Sequence, residues 1–384
     1  MGTVTDALLA YRDRFPTLRG GPYFAAHTLG PMPDTAPGAL ARFAREWAEQ
    51  GVVAWTGWLE RLREVAGLLE GLLGAPPGSV ALGPNVSVLA AQVLSCLDWS
   101  GPRDRLVTTD LEFPTCDYLY RAQETVGAKV DPVPSRDLAV DEGRLLEAID
   151  ERTALVAVTH VAFRSAALLD AAPVVERAHQ VGALVLLDVY QSAGTVPVDV
   201  AALGADLLVG GSVKWLLGGP GTGFLYVRPE VAERLAPRAL GWFGHAAPFA
   251  FEPAPIRYAP RAGRFMTGTP NVAAHVMAAE GYRIVAAAGV EAIRAKSQRQ
   301  VARLLDGFQA QGAVVRGPAD VRRRGGSVVV DFDGAEPATE ELIRRGYTCD
   351  YRPGAGLRLG PHLYTGDDEC DAVVAEVAAI RAGR

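Results

Sequence analysis

Short apolar runs that are typical of buried strands alternate with helix-like segments through the first half of the chain. Three of these runs are RLVTTD at 105–110, TALVAVTHV at 153–161 and LVLLDV at 184–189. Helical segments follow the first run after Pro114 and the second at DAAPVVERAHQVG, residues 170–182. Strands joined through helices run parallel, so this alternation predicts an α/β fold with a mostly parallel, doubly wound sheet covered by helices on both faces.

The sequence after this alternation predicts a second, smaller unit, while a helical segment precedes the alternation. Residues 36–74 have helical periodicity, and residues 231–270 are rich in Pro, Gly and aromatics, as in a long ordered loop. Residues 271–308 predict one or two helices, and the remaining sequence predicts the strands SVVVDFD and GLRLGPHLYT, a helix from Ala338 and a terminal helix. We therefore expect an N-terminal segment 1–35 that packs with the small domain, a large domain 36–262, and a small α+β C-terminal domain 263–384.

The composition argues against several functional classes. The 384 residues carry a formal net charge of −6, which provides no basic surface for nucleic acid or an anionic membrane. The first residues lack a cationic stretch followed by an apolar one, so we expect no secretory signal, and no charge-free apolar run is long enough to span a bilayer. The four cysteines show no CxxC spacing, and we expect reduced thiols in a cytoplasmic protein.

An acid and a base follow two of the apolar runs. Asp188 ends the run LVLLD. A second apolar run is followed by Ser212, Val213 and Lys214. Because strand ends of an open α/β sheet border its ligand crevice, we expect both side chains at one site. Lys214 is one of only three lysines and lies among apolar residues and glycines, a setting that lowers the pKa of an amine and suits Schiff-base formation. The alternative is a lysine whose stem is buried while its amine reaches solvent.

Asp188 and two further residues suit a pyridine cofactor. A carboxylate at this position can pair with a protonated ring nitrogen and hold the ring as an electron sink, although carboxylates that cap helices or turns are common at such junctions. Gln191 can donate to a cofactor phenolate or satisfy a turn. Phe113, at another strand-to-loop edge, can stack on a flat ring or pack in the core.

Two other positions suit anionic groups. The turn before a helix that starts near Ser87 offers free N–H groups to a phosphate, which by itself is a weak signal. Arg358 stands between two leucines in a strand-like stretch, where its planar fork suits a carboxylate or pairs with a surface acid. The six histidines have no metal-ligand spacing, so we expect no metal site.

Taken together, these motifs resemble the pyridoxal-phosphate enzymes of fold type I, in the aminotransferase class V group and its kynureninase-like branch. The resemblance extends in order over nearly the whole chain. It is carried by YFAAHTLGPMP at 23–33, FPTCD at 113–117, THV at 159–161, DVYQSAGTVPVDV at 188–200, SVKW at 212–215, GWFGH at 241–245, FMTGTP at 265–270 and LRLGPHLY at 357–364. The Asp188-to-Lys214 segment is specific for the cofactor class, and GWFGH is specific for the kynureninase-like branch.

The resemblance implies a role for each matching residue. Lys214 would hold the cofactor, pyridoxal 5′-phosphate, as a Schiff base and later move a proton, while Asp188 would pair with the ring nitrogen. Arg358 would bind the substrate carboxylate, with His27 and Cys116 on the substrate side. The other implied cofactor contacts are Val86 and Ser87 at the phosphate, Phe113 on the ring, Gln191 at the phenolate oxygen, Ser212 beside the lysine, and Trp242 and Thr269 from the partner subunit of a homodimer.

The chain departs from the kynureninase pattern mainly on the substrate side. Cys116 stands where the family has an acid after FPT, and Val213 stands where it has a tyrosine. The family's Asn-Tyr after THV is Ala-Phe at 162–163 here, and its GNSLGP is AHTLGP at 26–31. The main cofactor-binding residues are kept, although Val213 lacks the phosphate-binding hydroxyl of the family's tyrosine, whereas the substrate-binding residues are changed.

The expected activity is cleavage of the side chain beyond Cβ of an L-α-amino acid or a conjugate of one, by hydrolysis as in kynureninase. β-Elimination at Cβ–S, which gives pyruvate, ammonia and a thiol, is an equal alternative, and transamination or decarboxylative deamination is a third. The non-enzymatic alternative is a catalytically silent relative that keeps the fold. A nicotinamide-dependent Rossmann enzyme is disfavoured because no GxGxxG follows the first strand.

Overall fold

The computed structural model of the chain describes residues 6–383, and its helices and strands are arranged around two sheets. The helices are α1 (Ala36–Gln50), α2 (Trp55–Leu73), α3 (Val86–Ser95), α4 (Pro114–Ala122), α5 (Glu142–Ala148), α6 (Ala171–Gln180), α7 (Val200–Leu203), α8 (Pro229–Ala232), α9 (Val272–Ala288), α10 (Val290–Ala310), α11 (Ala335–Arg344) and α12 (Asp367–Arg381). The strands are β1 (Val80–Gly83), β2 (Arg105–Thr109), β3 (Lys129–Val133), β4 (Thr153–Thr159), β5 (Leu184–Asp188), β6 (Leu207–Gly211), β7 (Gly223–Val227), β8 (Val314–Val315), β9 (Val328–Asp331), β10 (Asp350–Arg352) and β11 (Gly356–Leu359).

The main sheet has seven strands in the order β1-β7-β6-β5-β4-β2-β3. Strands β2 to β6 pair in parallel, while β7 is antiparallel to both of its neighbours, β6 and β1. Strand β1 therefore runs in the same direction as β6. The carboxyl ends of six strands meet at one edge of the sheet, which is where an open α/β sheet binds its ligand.

Side chains of the central strand β4 alternate between two cores, one on each face of the main sheet. Val156 and Val158 pack in a core with residues of α2, α6 and α9, whereas Leu155 and Ala157 pack in a core with residues of α3 and α4. All four are fully buried, and burial of a valine or leucine side chain stabilises a fold by about 1.5–3 kcal/mol. The predicted doubly wound sheet with helices on both faces is confirmed.

The second sheet is antiparallel, has the strand order β10-β11-β9-β8, and shares a core with α10, α11 and α12. The N-terminal segment reaches this unit, since Phe24 lies in that core and Ala25 forms a parallel bridge with Gly360. Helix α9 instead packs against α1 and α2 in the core of the main sheet. The domain boundaries at 35/36 and 262/263 stay a prediction.

Two details of the sequence-based reading are corrected. Helix α11 begins at Ala335 and not at Ala338, because Gly334 (φ 83°) ends the preceding turn and Pro337 lies in the first helical turn, where a missing N–H is tolerated. Strand β3 was not anticipated: it contains Pro132, and Val133 is its single fully buried residue, as suits the outermost strand of a sheet.

The other predicted helical and loop regions occur as expected. Residues 233–270, all within the described part of the chain, contain only three short 3-10 turns, and Gly289 separates α9 from α10. Among residues 6–383, no helix combines the length and the apolar character that crossing a membrane requires.

Candidate active site

Residues that follow the carboxyl ends of four strands of the main sheet line one cavity. Ser87 follows β1, Phe113 follows β2, Asp188 ends β5 and Lys214 follows β6. The cavity has a volume of about 290 Å³, which is close to the lower limit for small-molecule sites. The strand ends therefore converge as the sequence predicted, at a cavity large enough for a small cofactor.

Lys214 has a partly buried side chain that faces this cavity. Its Nζ lies 4.4 Å from the ring centre of Tyr190 and 5.4 Å from that of Phe113. No hydrogen bond or ion pair to Nζ is found within residues 6–383. Burial lowers the pKa of Lys214 to about 8, although the negative charge of Asp188 opposes the shift. About a tenth of the amine is therefore neutral at pH 7, far more than for an ordinary lysine, and the neutral amine is the form that attacks a carbonyl carbon.

The rate of cofactor attachment is expected to follow this pKa. Lowering the pH protonates Lys214, so the rate should fall about tenfold per pH unit below about pH 8 and level off above it. The measurement is the rate at which the absorbance of the bound cofactor appears after cofactor-free protein is mixed with pyridoxal 5′-phosphate at each pH. A midpoint near the ordinary lysine pKa would contradict the effect assigned to burial.

Asp188 is a buried carboxylate with two donors from the protein. Its Oδ1 accepts a hydrogen bond from the backbone N–H of Tyr190 at 2.8 Å, and its Oδ2 accepts one from Sγ of Cys116 at 3.5 Å. Burial raises the pKa of Asp188, while the N–H of Tyr190 and the charge of Lys214 oppose that shift. A cationic partner stabilises the charged form of a buried carboxylate of this kind.

The thiol of Cys116 contacts Asp188 from the first turn of α4. Cys116 is fully buried and also borders the cavity. Burial, followed by the nearby Asp188 charge, raises its pKa, so the thiol stays protonated and acts as a donor. The sequence suggested a place on the substrate side, whereas in the fold this thiol lies against the carboxylate. Substrate binding by Cys116 stays a prediction.

Phe113 and Gln191 border the same cavity in different ways. The ring of Phe113 is exposed to the cavity and meets the ring of Phe163 edge-on, with centroids 5.3 Å apart. The amide of Gln191 is already bonded: its Nε2 donates to the backbone oxygen of His27 at 3.0 Å, and its Oε1 accepts from Nε1 of Trp215 at 2.9 Å. Phe113 is thus available to stack on a ligand, while the predicted contact of Gln191 with a phenolate stays a prediction.

Helix α3 presents its N-terminus to the cavity through Val86 and Ser87. Asn85 caps the helix, since its Oδ1 accepts from the backbone N–H of Val88 at 3.0 Å. The first N–H groups of a helix have no acceptor within the helix and are suited to a phosphate. Ser212 differs, because its buried hydroxyl is bonded to the hydroxyls of Tyr282 and Thr222. Its predicted cofactor contact stays a prediction.

Taken together, the residues that line this cavity fit pyridoxal 5′-phosphate. They provide an amine without a hydrogen-bond or ion-pair partner in the described part of the chain, a buried carboxylate, an exposed aromatic ring and a helix N-terminus, all bordering one cavity. Each group matches one part of that molecule: its aldehyde, its ring nitrogen, its flat ring and its phosphate.

Arg358 and His27 lie next to this cavity and meet at Asp350. Nε and Nη2 of Arg358 donate to the two oxygens of Asp350 at 2.8 and 2.6 Å, and Nε2 of His27 lies 3.1 Å from Oδ1 of Asp350. Burial, and then the charge of Arg358, lowers the pKa of His27 to about 4, so its ring is neutral at pH 7. The predicted substrate contacts of Arg358 and His27 stay predictions.

Trp242 and Thr269 do not line the cavity of their own chain. Trp242 packs in an exposed aromatic group, with its ring stacked 5.8 Å from that of Phe251, and Thr269 is exposed on a neighbouring loop. The resemblance assigned both residues to a partner subunit, and this assignment stays a prediction.

Three residues at the site were missed by the sequence analysis. Tyr190 faces the amine of Lys214, and Asp350 pairs with Arg358. Glu112 is buried, and its Oε1 accepts from the Thr109 hydroxyl at 2.8 Å and from the backbone N–H of Thr159 at 3.0 Å, which ties the end of β2 to that of β4. Burial raises the pKa of Glu112 to about 8. An acid next to Phe113 at a strand end was the signal that could have identified it.

Comparisons with known proteins agree with this geometry. The model of the family described as Aminotransferase class-V matches residues 88–362. The uncharacterized aminotransferase YcbU of Bacillus subtilis (strain 168) is 30% identical over 369 residues, which cover 96% of this chain and 97% of that protein. Kynureninase of Burkholderia pseudomallei (strain 1106a) is 33% identical over 379 residues, which cover 94% of this chain and 89% of that enzyme. Among solved structures, the apo cysteine desulfurase of Thermococcus onnurineus NA1 superposes with a TM-score of 0.88 at 20% identity over 100% of both chains, a likeness of fold.

Proposed function

Because this chain belongs to the aminotransferase class-V family and uses pyridoxal 5′-phosphate, we propose that it cleaves the side chain beyond Cβ of an L-α-amino acid or of a conjugate that carries one. The observation that carries the proposal is the position of the Lys214 amine and the Asp188 carboxylate on the walls of one cavity. When bound, the cofactor withdraws electrons from Cα of the substrate and stabilises the negative charge that develops there.

Different residues of the chain would bind the cofactor, transfer protons and exclude water. Asp188 would hold the proton of the ring nitrogen through a charge-assisted hydrogen bond, and the N-terminus of α3 would bind the phosphate. Lys214, with a pKa of about 8, can accept the proton from Cα and return it to a neighbouring atom. Phe163 and Val213 give the cavity apolar walls, which limit the access of water to the reacting atoms.

Two outcomes of this chemistry have separate support. Kynureninase-like hydrolysis at Cβ–Cγ is supported by the 33% identity to the Burkholderia pseudomallei kynureninase, in a match that covers 94% of this chain. Elimination at Cβ–S is supported by the cavity lining: besides Asp188 and Lys214, its titratable side chains among the described residues are Cys116 and Tyr190. Burial raises the pKa of both well above neutrality, so neither can activate a water molecule at pH 7. Elimination needs only loss of the Cα proton and a leaving group.

Product analysis tests the proposal. Cofactor-loaded protein is incubated with L-kynurenine, S-substituted cysteines and simple amino acids, and the three-carbon product is identified, with the Lys214→Ala protein as the control. Alanine would indicate hydrolysis, and pyruvate with ammonia would indicate elimination. Conversion of simple amino acids to oxo acids alone would indicate transamination. A protein that shows no absorbance change with the cofactor and no product would be a silent relative, and the proposal would be wrong.

Replacement of Arg358 by glutamine is expected to raise the KM for amino acids about 30-fold, which corresponds to about 2 kcal/mol of lost charge-assisted binding, with a smaller change in kcat. The reason is the loss of the proposed partner of the substrate carboxylate. Steady-state kinetics with the best substrate measure it. The matched control is Arg303→Gln, since Arg303 is partly exposed and pairs with Asp371 on the surface. An unchanged KM would show that a residue other than Arg358 binds the substrate carboxylate.

We also propose that the active form is a homodimer. Trp242, Phe249, Phe251 and Ile256 form an apolar surface, here called the aromatic surface, and all four side chains are exposed. Contiguous apolar surface of this kind typically marks a contact with another protein. Trp242 lies on this surface, so a second copy that docks here would contact it, and the resemblance assigns Trp242 to the partner's site.

Mixing two impaired variants is expected to restore activity if Trp242 acts across the interface. Mixed dimers of Lys214→Ala and Trp242→Ala chains contain one site in which both residues are intact. After the chains have exchanged at equal concentrations, the mixture should reach roughly one quarter of wild-type activity, because half of the dimers are mixed and half of their sites are complete. Activity no higher than the mean of the separate variants would show that Trp242 does not act across an interface. Light scattering of each variant controls for dimer formation.

A further inference from the structure

The guanidinium group of Arg358 is almost completely occupied by groups of the chain itself. Nε donates to Asp350, and Nη2 donates one N–H to Asp350 and the other to Oγ1 of Thr28 at 2.9 Å. Nη1 donates to the backbone oxygen of Phe163 at 3.0 Å. An arginine has five N–H donors. Groups within residues 6–383 therefore use four of them and leave an incoming carboxylate a single free donor.

Asp350 occupies the face of Arg358 that a substrate carboxylate would need. The two residues are directly opposite each other on the antiparallel strands β10 and β11, and Asp350 takes the bidentate geometry that is preferred for an arginine and a carboxylate. Arg358 is only 2% exposed, so it has no second face open to a ligand. An amino-acid substrate and Asp350 would thus compete for the same two N–H groups.

Asp350 has a second cation within reach. Its side chain is 20% exposed, and its Oδ2 lies 3.6 Å from Nη2 of Arg352, whose side chain is 40% exposed at the surface. Burial of Asp350 opposes its ionisation, but the hydrogen bonds from His27 and Arg358 outweigh this effect and hold its pKa well below the usual value. The carboxylate is consequently charged at neutral pH, and it can exchange one arginine for the other without being left unpaired.

We propose that Asp350 is a specificity-determining residue that occupies the carboxylate site of Arg358 and is displaced towards Arg352 when an amino-acid substrate binds. This inference rests on the proposed function, in which Arg358 binds the substrate carboxylate. Displacement offsets part of the attraction between Arg358 and any carboxylate. Affinity must then come mainly from contacts with the rest of the substrate, so small amino acids with no further contacts bind weakly.

The test compares two probes that differ only at the carboxylate. They are 2-methylalanine, which has no hydrogen on Cα and cannot be deprotonated there, and its amide. The dissociation constants of both are measured with cofactor-loaded protein from the change in cofactor absorbance and from calorimetry, neither of which requires turnover. The change in the ratio of the amide constant to the acid constant between two variants reports the contribution of the carboxylate, because the difference in amine basicity between the probes is the same for both variants.

Asp350→Asn keeps the size of the side chain and removes its charge, and it is expected to raise this ratio about tenfold, because the carboxylate no longer competes with a fixed anion. Arg352→Gln, at a partly exposed position, is expected to lower the ratio about threefold, since displaced Asp350 loses its second partner. An unchanged or smaller ratio in Asp350→Asn would overturn the inference and indicate that Asp350 instead orients Arg358. If Asp350→Asn does not fold, an unchanged ratio in Arg352→Gln overturns it.

Arg358→Gln separates this inference from the function on which it depends. If Arg358 binds the substrate carboxylate, this variant lowers the ratio below the wild-type value. A ratio that stays at the wild-type value would show that the carboxylate binds elsewhere, and both proposals would then be wrong at this residue. A ratio that falls in Arg358→Gln but does not rise in Asp350→Asn contradicts only the role of Asp350. Melting temperatures of the three variants establish that each is folded.

Discussion

Replacement of Lys214 by alanine is expected to lower kcat by at least about 10⁴-fold, because proton transfer by a positioned base alone contributes up to about 10⁴ and covalent attachment of the cofactor is lost as well. The fold should be kept. The amine makes no hydrogen bond within residues 6–383, and its side chain borders a cavity, so its removal leaves no buried partner unsatisfied. Steady-state kinetics measure the loss of kcat, and circular dichroism and thermal melting of the same sample show whether the fold is kept.

The matched control for this change is Lys129→Ala. Lys129 is largely exposed and pairs with Asp104 at the surface, and an exposed ion pair contributes at most about 1 kcal/mol to stability. Its loss should leave turnover unchanged. Near-normal turnover in Lys214→Ala, measured on protein freed of wild-type contamination, would contradict the mechanism. A loss of helical signal in that variant would instead show that Lys214 supports the fold.

Replacement of Asp188 by asparagine is expected to lower kcat by about 10²–10³-fold, the range found when a preorganised charge or donor is removed from a reacting centre. Asparagine keeps the size of the side chain and an oxygen that can accept from the N–H of Tyr190, so the change mainly removes the negative charge. The absorbance spectrum of the bound cofactor as a function of pH provides a second readout, because the charge of Asp188 is proposed to hold the ring nitrogen protonated.

In the cofactor-free protein, the same substitution should keep or raise the stability of the fold, although it lowers kcat. Burial raises the pKa of Asp188 above its value in the unfolded chain, so the charged form at pH 7 opposes folding. Without cofactor, Asp188→Asn is thus expected to have an equal or higher melting temperature than the wild type, although its activity is lower. The control is Asp131→Asn, whose exposed carboxylate pairs with Arg105 and should not affect turnover. A wild-type kcat in Asp188→Asn would show that the charge of Asp188 is not needed for the reaction.

Most of the large sheet could be predicted from the sequence, because its signals are local. The apolar runs that became β2, β4 and β5 bury both faces of the sheet, so consecutive apolar residues identify them. Strand β3 could not be identified in this way: it lies at the edge of the sheet, contains Pro132, and buries one residue fully. Strand β7 follows a glycine-rich run and is antiparallel to its neighbours, which a pattern of alternating strands and helices does not anticipate.

The candidate site could be predicted only in part. Lys214 and Asp188 stand at strand ends, and strand ends of a parallel sheet meet wherever the sheet forms, so their proximity followed from the fold class. Glu112 has a weak signal, since it stands next to Phe113 at a strand end, and Tyr190 has none, because an acid and a tyrosine in loops are usually exposed. The burial of Glu112 and the position of Tyr190 beside the Lys214 amine depend on how the loops after β2 and β5 fold back over the edge of the sheet.

The sequence by itself determined the doubly wound sheet, the family and the cofactor, because these depend on periodicity and on motifs within short segments. Only the tertiary structure decided which groups surround Arg358. Its partners Asp350, Thr28 and Phe163 come from three separate parts of the chain. The physical reason is that such contacts depend on the register of β10 against β11 and on the packing of the N-terminal segment against the small sheet, and neither is encoded in neighbouring residues.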